Sequence, residues 1–233
     1  MNLQQIGTGA FDTGSLGQSV AQRNRVLRNT YWLLALSMVP TVLGAWVGMA
    51  TGLASVMSGG IGLVVFLGGA FAFMFAIEKT KNSAAGVPIL LAFTFFMGVM
   101  LSRIVGMVLG LSNGASLIMM AFAGTGTIFL GMASLSTIIK RDLSSMGKFL
   151  FIGAIMLLVA GIANFFIQSS ALMITLAVLA IGIFSAFILY DLKRVQDGHE
   201  TNYITATLGV YLSLYNVFQS LLMLFGIMGG RDE

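Results

Sequence analysis

The stretch YITATLGVYLSLYNVFQSLLMLFGI, residues 203–227, is apolar and long enough to cross a bilayer, yet it carries regularly spaced polar side chains. A helix needs about 20 mainly apolar residues to span the hydrocarbon core. By steps of three and four residues, one helical face collects Thr205, Ser213, Asn216 and Ser220. The neighbouring face carries Tyr211, Tyr215 and Gln219. The stretch therefore predicts a membrane helix with a polar side.

Two amides of this helix, Asn216 and Gln219, lie near its midpoint. An unpaired amide that faces lipid is costly, so we predict that this last helix lies at the centre of a bundle. Its polar groups have two interpretations. They could hold neighbouring helices together by hydrogen bonds, or they could line a hydrated path along the bundle.

The composition extends the membrane assignment to the whole chain of 233 residues, which is 58% hydrophobic and only 9% charged. A soluble domain averages about 25% charged residues, so lipid must cover most of this surface. The sequence lacks the period-two alternation of a membrane barrel, which leaves helices. The absence of cysteine excludes disulfides and thiolate metal sites, and His199 as the single histidine excludes multi-histidine sites. We expect no cofactor.

Apolar runs of the required length occur seven times, joined by short connections, which predicts an all-α protein with seven transmembrane helices. The runs are Tyr31–Thr51, Gly59–Ile77, Val87–Leu111, Ser116–Ile139, Phe149–Gln168, Leu172–Tyr190 and Tyr203–Met228. One bundle is predicted over residues 30–229. Residues 1–29, polar and rich in Gly, Ser, Thr and Gln, are predicted to form a flexible tail, and residues 230–233 a short C-terminal tail.

The basic residues predict the orientation. Of the 12 Lys and Arg residues, all but Arg103 and Arg231 lie before the first run or after the second, fourth and sixth runs. The positive-inside rule places that side in the cytoplasm, so the N-terminus is predicted inside and the C-terminus in the periplasm. This placement explains the net charge of +4 without a nucleic-acid partner.

Arg103 is the one charge inside the third run, towards its outer end. A charge at that depth must snorkel to the headgroups or form an ion pair. Asp191 is predicted near the opposite face, which argues against it as the partner.

Two pairs of glycines have the four-residue spacing that lets membrane helices approach closely. They are Gly44 with Gly48, and Gly106 with Gly110. We predict that both pairs serve helix packing.

The sequence lacks residues that three known classes of membrane protein require for their chemistry. An intramembrane aspartyl protease needs two carboxylates that share a proton, and the GxGD partner of Tyr190–Asp191 is missing. Ser116, in a GASL stretch like that of rhomboid proteases, has no histidine in any run to activate it. A retinal protein would need a lysine in the last run, and residues 203–228 contain none. We predict that the chain is not an enzyme.

Four stretches together resemble the Bax inhibitor-1 family, in its bacterial YccA-like branch. They are VLRNTYWLLALS (Val26–Ser37), GIANFFIQ (Gly161–Gln168), ILYDLKRV (Ile188–Val195) and ETNYITATLGVYLSLYNVFQSLL (Glu200–Leu222). The resemblance covers the first run to the C-terminus. It implies seven spans with the N-terminus inside, in a multi-pass protein of the bacterial inner membrane.

The resemblance implies two kinds of function. The YccA-like branch implies that the chain binds and modulates the membrane-anchored ATP-dependent protease FtsH, for which the polar tail offers a grip. Other members imply a pH-sensitive leak for Ca²⁺ or another cation, in which an acid ending the sixth span pairs with an acid in the seventh. Asp191 matches the first acid, but Ser213 stands at the second position. One acid and a hydroxyl chelate a cation or share a proton far more weakly than two carboxylates do. Glu78 and Glu200, at the same membrane face, are the acids that could take the place of the missing second carboxylate.

Asp191 itself has two interpretations. It balances the nearby Lys193 and Arg194 at the interface, or it is a gating and proton-sensing carboxylate. In the second case, our hypothesis is that ionised Asp191 closes the bundle through hydrogen bonds to Tyr215 or Ser213 and attraction to Lys79. His199, in the connection that follows, is predicted to be a solvated loop residue, although histidine is the side chain that titrates near neutrality. The metal ligands, if any, are not defined by the sequence.

Overall fold

The computed structural model describes residues 13–53 and 59–229, with side chains from Val20 onward. This part of the chain contains seven long helices and no strand. They are α1 (Thr13–Ala50), α2 (Gly59–Thr80), α3 (Gly86–Leu109), α4 (Gly114–Ile138), α5 (Met146–Ile167), α6 (Ser170–Gln196) and α7 (Tyr203–Gly229). Each is long and apolar enough to cross a membrane, so the prediction of an all-α protein with seven spans is confirmed.

Helix α6 continues to Gln196, past the predicted end of the sixth span at Tyr190. The apolar periodicity continues with it, because Leu192 and Val195 are completely buried. At 27 residues the helix is about 40 Å long, more than the hydrocarbon core requires. Asp191 therefore lies within the helix and not in the connection after it.

Helix α1 begins at Thr13, inside the segment that was predicted to be a flexible tail. The reason is tertiary contact, since Val26 is buried against Val195 of α6 and Ala206 of α7. One turn later, the carbonyl of Thr30 accepts a hydrogen bond of 3.4 Å from the Thr207 hydroxyl. Residues 1–12 and 230–233, which complete the two predicted tails, lie outside the described residues.

Helix α7 packs against α1, α3, α4 and α6, with a smaller contact to α2. Within α7, Met228 is the exposed residue, and the rest of the helix is buried or half-buried. Helix α5 instead packs mainly against α6, and Leu150 is its one buried residue. The apolar faces of α5 and α2 that remain exposed are suited to contact with lipid.

Helices α1 and α3 are in the closest contact, and glycines on both sides make it possible. The Cα of Gly44 lies against the backbone carbonyl of Phe95, and the Cα of Gly98 lies against the backbone carbonyl of Thr41. A side chain at either glycine would collide with backbone atoms of the other helix. A Cβ on Gly48 would collide with the Ser102 side chain of α3 and stand 3.1 Å from the carbonyl oxygen of Val99. The packing role predicted for Gly44 and Gly48 is confirmed.

The second predicted pair behaves differently. A Cβ on Gly106 would meet only the Met49 side chain at 3.9 Å, an ordinary contact distance. Gly110 follows the end of α3 and faces backbone atoms of its own helix. The prediction that Gly106 and Gly110 form a helix-packing pair is therefore wrong. Gly98 takes that role, because its position on α3 faces α1.

Candidate functional site

The Asp191 carboxylate lies directly against the backbone of α7. A Cβ built on Gly209 would stand 2.8 Å from Oδ2 and 3.1 Å from Cγ of Asp191. Glycine at position 209 thus leaves the space that the carboxylate occupies. Because α6 and α7 pack along much of their length, this contact fixes where the acid sits.

The carboxylate of Asp191 is half-buried and forms no hydrogen bond or ion pair with the described residues. The charged groups that act on it electrostatically are Arg194, which attracts it, and Glu200, which repels it. Arg194 is engaged elsewhere, since its Nη2 lies 3.8 Å from Oε2 of Glu200. Its guanidinium also lies over the ring of Tyr190, 5.6 Å from the centroid. Asp191 is therefore a charge at the α6–α7 contact that no counter-ion touches.

The hydrogen bonds that we predicted for Asp191 are not formed. The Ser213 hydroxyl donates to the carbonyl of Gly209 at 3.1 Å, a bond within its own helix that satisfies it. Tyr215 is buried with its ring 6.3 Å from that of Tyr211, and its hydroxyl makes no hydrogen bond to a described residue. Ser213 is nonetheless close to the site, because its partner Gly209 is the residue that contacts the carboxylate.

Lys79 does not take part in this site. Its side chain is exposed, and the ammonium lies over the ring of Phe75, 5.5 Å from the centroid. Among the described residues it forms no ion pair. Helix α2 packs on α3 and makes no substantial contact with α6, which explains why the predicted attraction to Asp191 is absent. Glu78 is likewise engaged with Lys81, at 2.6 Å.

Tyr211 is the polar residue of α7 that connects helices. Its hydroxyl lies 2.9 Å from Oγ1 of Thr41 on α1 and donates to the carbonyl of Thr94 on α3 at 3.4 Å. The ring is almost completely buried and packs edge-on against Phe93. Tyr211 therefore joins three helices at one point.

The other polar side chains that we predicted for α7 form hydrogen bonds within the helix or none to a described residue. The Asn216 amide donates to the carbonyl of Leu212 at 2.8 Å. Gln219 is half-buried and Ser220 is buried, and neither forms a side-chain hydrogen bond to a described residue. Arg103 is exposed on α3 and makes no ion pair within the described part of the chain.

The connection between α6 and α7 forms hydrogen bonds to other parts of the chain that the sequence analysis did not predict. Asn202 caps α7, its Oδ1 accepting from the backbone N–H of Ile204 at 2.9 Å, while its Nδ2 donates to the carbonyl of Lys81 at 3.0 Å. The Gln196 amide donates to the Ser136 hydroxyl of α4 at 2.8 Å. The connection thus contacts the α2–α3 connection, and the last residue of α6 contacts α4.

A charged cluster lies at the end of α6. Lys193, although nearly buried, forms an ion pair of 2.7 Å with Asp197. Asp142, from the α4–α5 connection, and His199 bring their polar atoms within 4.8 Å of each other and of Asp197. Hydrogen bonds from the Ser144 hydroxyl and backbone N–H hold the pKa of Asp142 below its ordinary value. No sequence motif signals this cluster, because its members come from separate connections.

Comparisons with known proteins agree with this architecture. The family model for the inhibitor of apoptosis-promoting Bax1 matches residues 23–230. An uncharacterized membrane protein of Vibrio cholerae is 34% identical, over 97% of this chain and 100% of the relative. An uncharacterized protein of Pseudomonas aeruginosa is 38% identical, over 93% of this chain and 97% of the relative.

A third relative carries a functional name. The protein of Escherichia coli strain K12 called modulator of FtsH protease YccA is 35% identical, over 92% of this chain and 94% of the relative. Its counterpart in a second Escherichia coli strain, with the same identity and coverage, is named inner membrane protein YccA. Together with the seven spans, these matches show that the chain belongs to the Bax inhibitor-1 family and is a multi-pass protein of the bacterial inner membrane.

Proposed function

We propose that this protein binds the membrane-anchored protease FtsH and modulates it, without chemistry of its own. The observation that carries the proposal is the likeness to the Escherichia coli modulator, which extends over nearly the full length of both chains. The family description, an inhibitor, also names a regulatory role and not a reaction.

The orientation that the proposal needs is N-terminus in the cytoplasm and C-terminus in the periplasm, with α7 at the centre of the bundle. The distribution of Lys and Arg supports this orientation, because the connections after α1, α3 and α5 carry none. The packing of α7 against four other helices supports its central place. Because the chain has no cysteine, a single cysteine at Lys140 reports the side directly. Labelling of that cysteine from the periplasm would contradict the orientation.

The N-terminal part of α1 is the surface that we assign to the protease. Helix α1 has 38 residues, about 57 Å, whereas the hydrocarbon core is about 30 Å thick. Its first turns therefore extend beyond the membrane on the side that carries Arg25 and Arg28, both exposed. Residues 1–12 precede this helix and offer the protease a polar terminus.

The binding experiment is co-purification of FtsH with the tagged chain in mild detergent. We expect the full chain to retain FtsH and a variant lacking residues 2–12 to retain much less, at least tenfold, because the polar terminus is the proposed grip. Arg103→Gln is the matched control, since it alters an exposed arginine at a distance from α1 in sequence. Equal retention by the truncated variant would exclude the terminus as the contact.

A second candidate function is a cation leak controlled by Asp191. The observation that favours it is the half-buried carboxylate at the α6–α7 contact with no counter-ion touching it. Ser213 in place of a second acid weakens this candidate, because its hydroxyl is bound to Gly209. If the leak operates, Ca²⁺ enters liposomes carrying the protein in a manner that depends on pH, and Asp191→Asn removes that dependence. Flux no greater than that of empty liposomes at every pH would rule it out.

A further inference from the structure

A groove on the surface of α1 is not used by the function proposed above. It has a volume of about 500 Å³ and follows one face of the helix, at steps of three and four residues. Its lining residues are Asn24, Leu27, Arg28, Tyr31, Trp32 and Ala35. The ring of Tyr31 packs edge-on against Phe129 of α4, with 6.1 Å between the two centroids. The groove therefore lies where side chains of α1 and α4 meet.

The groove is polar at one end and apolar at the other. Asn24 and Arg28 are exposed at the end that lies nearer the N-terminus. Trp32, one turn further along the helix, is 73% exposed, and Ala35 beyond it is exposed as well. A phospholipid has the same succession of a charged headgroup and an apolar chain. The depth also fits, since tryptophan is enriched at the level of the headgroups in membrane proteins.

Arg28 carries a charge that no acid in the described part of the chain neutralises. It forms no ion pair with a described residue, and neither does the exposed Arg25, one turn earlier. Helix α1 itself contains no Asp or Glu. A guanidinium binds phosphate through two parallel N–H donors. With two arginines and no acid, this end of the groove favours a lipid of net negative charge over a zwitterionic lipid.

We propose that the groove binds an anionic phospholipid, with its phosphate at Arg28 and Asn24. An acyl chain of the same lipid lies along Tyr31, Trp32 and Ala35. The guanidinium and the amide supply N–H donors to the phosphate oxygens, and the exposed indole packs on the chain. A free phosphate ion would use the polar end alone. In the orientation proposed above, this lipid belongs to the cytoplasmic leaflet, and its binding requires no protease.

Quenching of tryptophan fluorescence by brominated lipids tests the proposal, because the chain has two tryptophans, Trp32 and Trp46, both on α1. Trp46→Phe leaves Trp32 as the only reporter. The chain with this substitution is reconstituted in mixed bilayers of phosphatidylglycerol and phosphatidylcholine, and one lipid or the other is brominated in its acyl chains. We expect quenching of Trp32 to show a preference of about fivefold for phosphatidylglycerol. That factor corresponds to about 1 kcal/mol for one basic side chain near the membrane surface.

Matched variants show whether the preference belongs to the groove. Arg28→Gln should remove it, whereas Arg28→Lys, which keeps the charge, should retain most of it. Arg103→Gln, which neutralises an exposed arginine on α3, should leave it intact. In Trp32→Phe the remaining reporter is Trp46, which is exposed about 21 Å further along α1. There we expect the two lipids to quench equally.

Three results would overturn the proposal. Equal quenching of Trp32 by the two lipids would mean that the groove holds whichever lipid surrounds the protein. A preference that persists in Arg28→Gln, or that is as large at Trp46, would show a general attraction of the chain to anionic bilayers. Quenching of Trp32 by neither lipid would show that protein, such as a second copy of this chain, covers the groove.

Discussion

Gly98→Ala should lower the free energy of unfolding by about 3 kcal/mol, at the upper end of the range for overpacked interiors. The added methyl group would collide with the backbone carbonyl of Thr41, which cannot turn aside as a side chain can. Helices α1 and α3 would have to separate along their contact, which also strains the hydrogen bonds from Tyr211 to both helices. Reversible unfolding in bicelles or mixed micelles measures the change.

Gly126→Ala is the matched control for this prediction. Gly126 is exposed in the middle of α4, and a Cβ there meets nothing within 4 Å. We expect it to raise stability by about 0.5–1 kcal/mol, the advantage of alanine over glycine inside a helix. Gly44→Ala should cost about as much as Gly98→Ala, but the double variant should cost less than the two together, because the first substitution already separates the helices. A Gly98→Ala variant as stable as Gly126→Ala would contradict the close contact of α1 with α3.

Asp191→Asn should raise the free energy of unfolding by about 1 kcal/mol or more, because a desolvated charge without a partner costs more than a neutral polar group of the same shape. The carboxylate is half-buried against the Gly209 backbone, and neither an ion pair nor a hydrogen bond to the described residues compensates it. Asparagine keeps the shape of the side chain and removes the charge. The measurement is the same unfolding assay at pH 7.

The control for Asp191→Asn is Asp197→Asn, which lies further along the same chain segment and does have a counter-ion. Its loss of the Lys193 pair should lower stability by about 1–3 kcal/mol, because the ammonium of the nearly buried Lys193 is left without its counter-ion. The two acids should therefore respond in opposite directions. A loss of stability in Asp191→Asn would mean that the attraction of Arg194 outweighs the desolvation of the carboxylate.

The spans could be predicted from the sequence because hydropathy is a local property. Each of the seven apolar runs became a helix, and Gly44 and Gly48 packed as their spacing indicated. The start of α1 could not be predicted, since Val26 lies in an arginine-rich stretch and becomes buried only through contact with α6 and α7. The packing role of Gly98 could not be predicted for a related reason, because it depends on which face of α3 contacts α1.

The contacts of the candidate site could not be predicted from the sequence. Asp191 was singled out as the acid that ends the sixth apolar run and then by the resemblance, whereas its position against Gly209 depends on the register between α6 and α7. Lys79 was assigned to the site from its predicted depth in the membrane, and the helix order places it elsewhere. His199 is an exposed loop residue, as predicted, but its closeness to Asp142 could not be predicted because the two residues are far apart in the sequence. The position of a residue along its membrane helix can be predicted from the sequence, but the residues that it contacts on neighbouring helices cannot.

The most direct test of the proposed role is proteolysis by FtsH reconstituted in liposomes, with and without this protein. A membrane protein that FtsH degrades serves as substrate, and the rate of its disappearance is followed with ATP in excess. The account predicts that the full chain slows degradation severalfold, and that the variant lacking residues 2–12 does so far less. An unchanged rate at a saturating ratio of this protein to FtsH would contradict the assignment of this chain as a modulator of the protease.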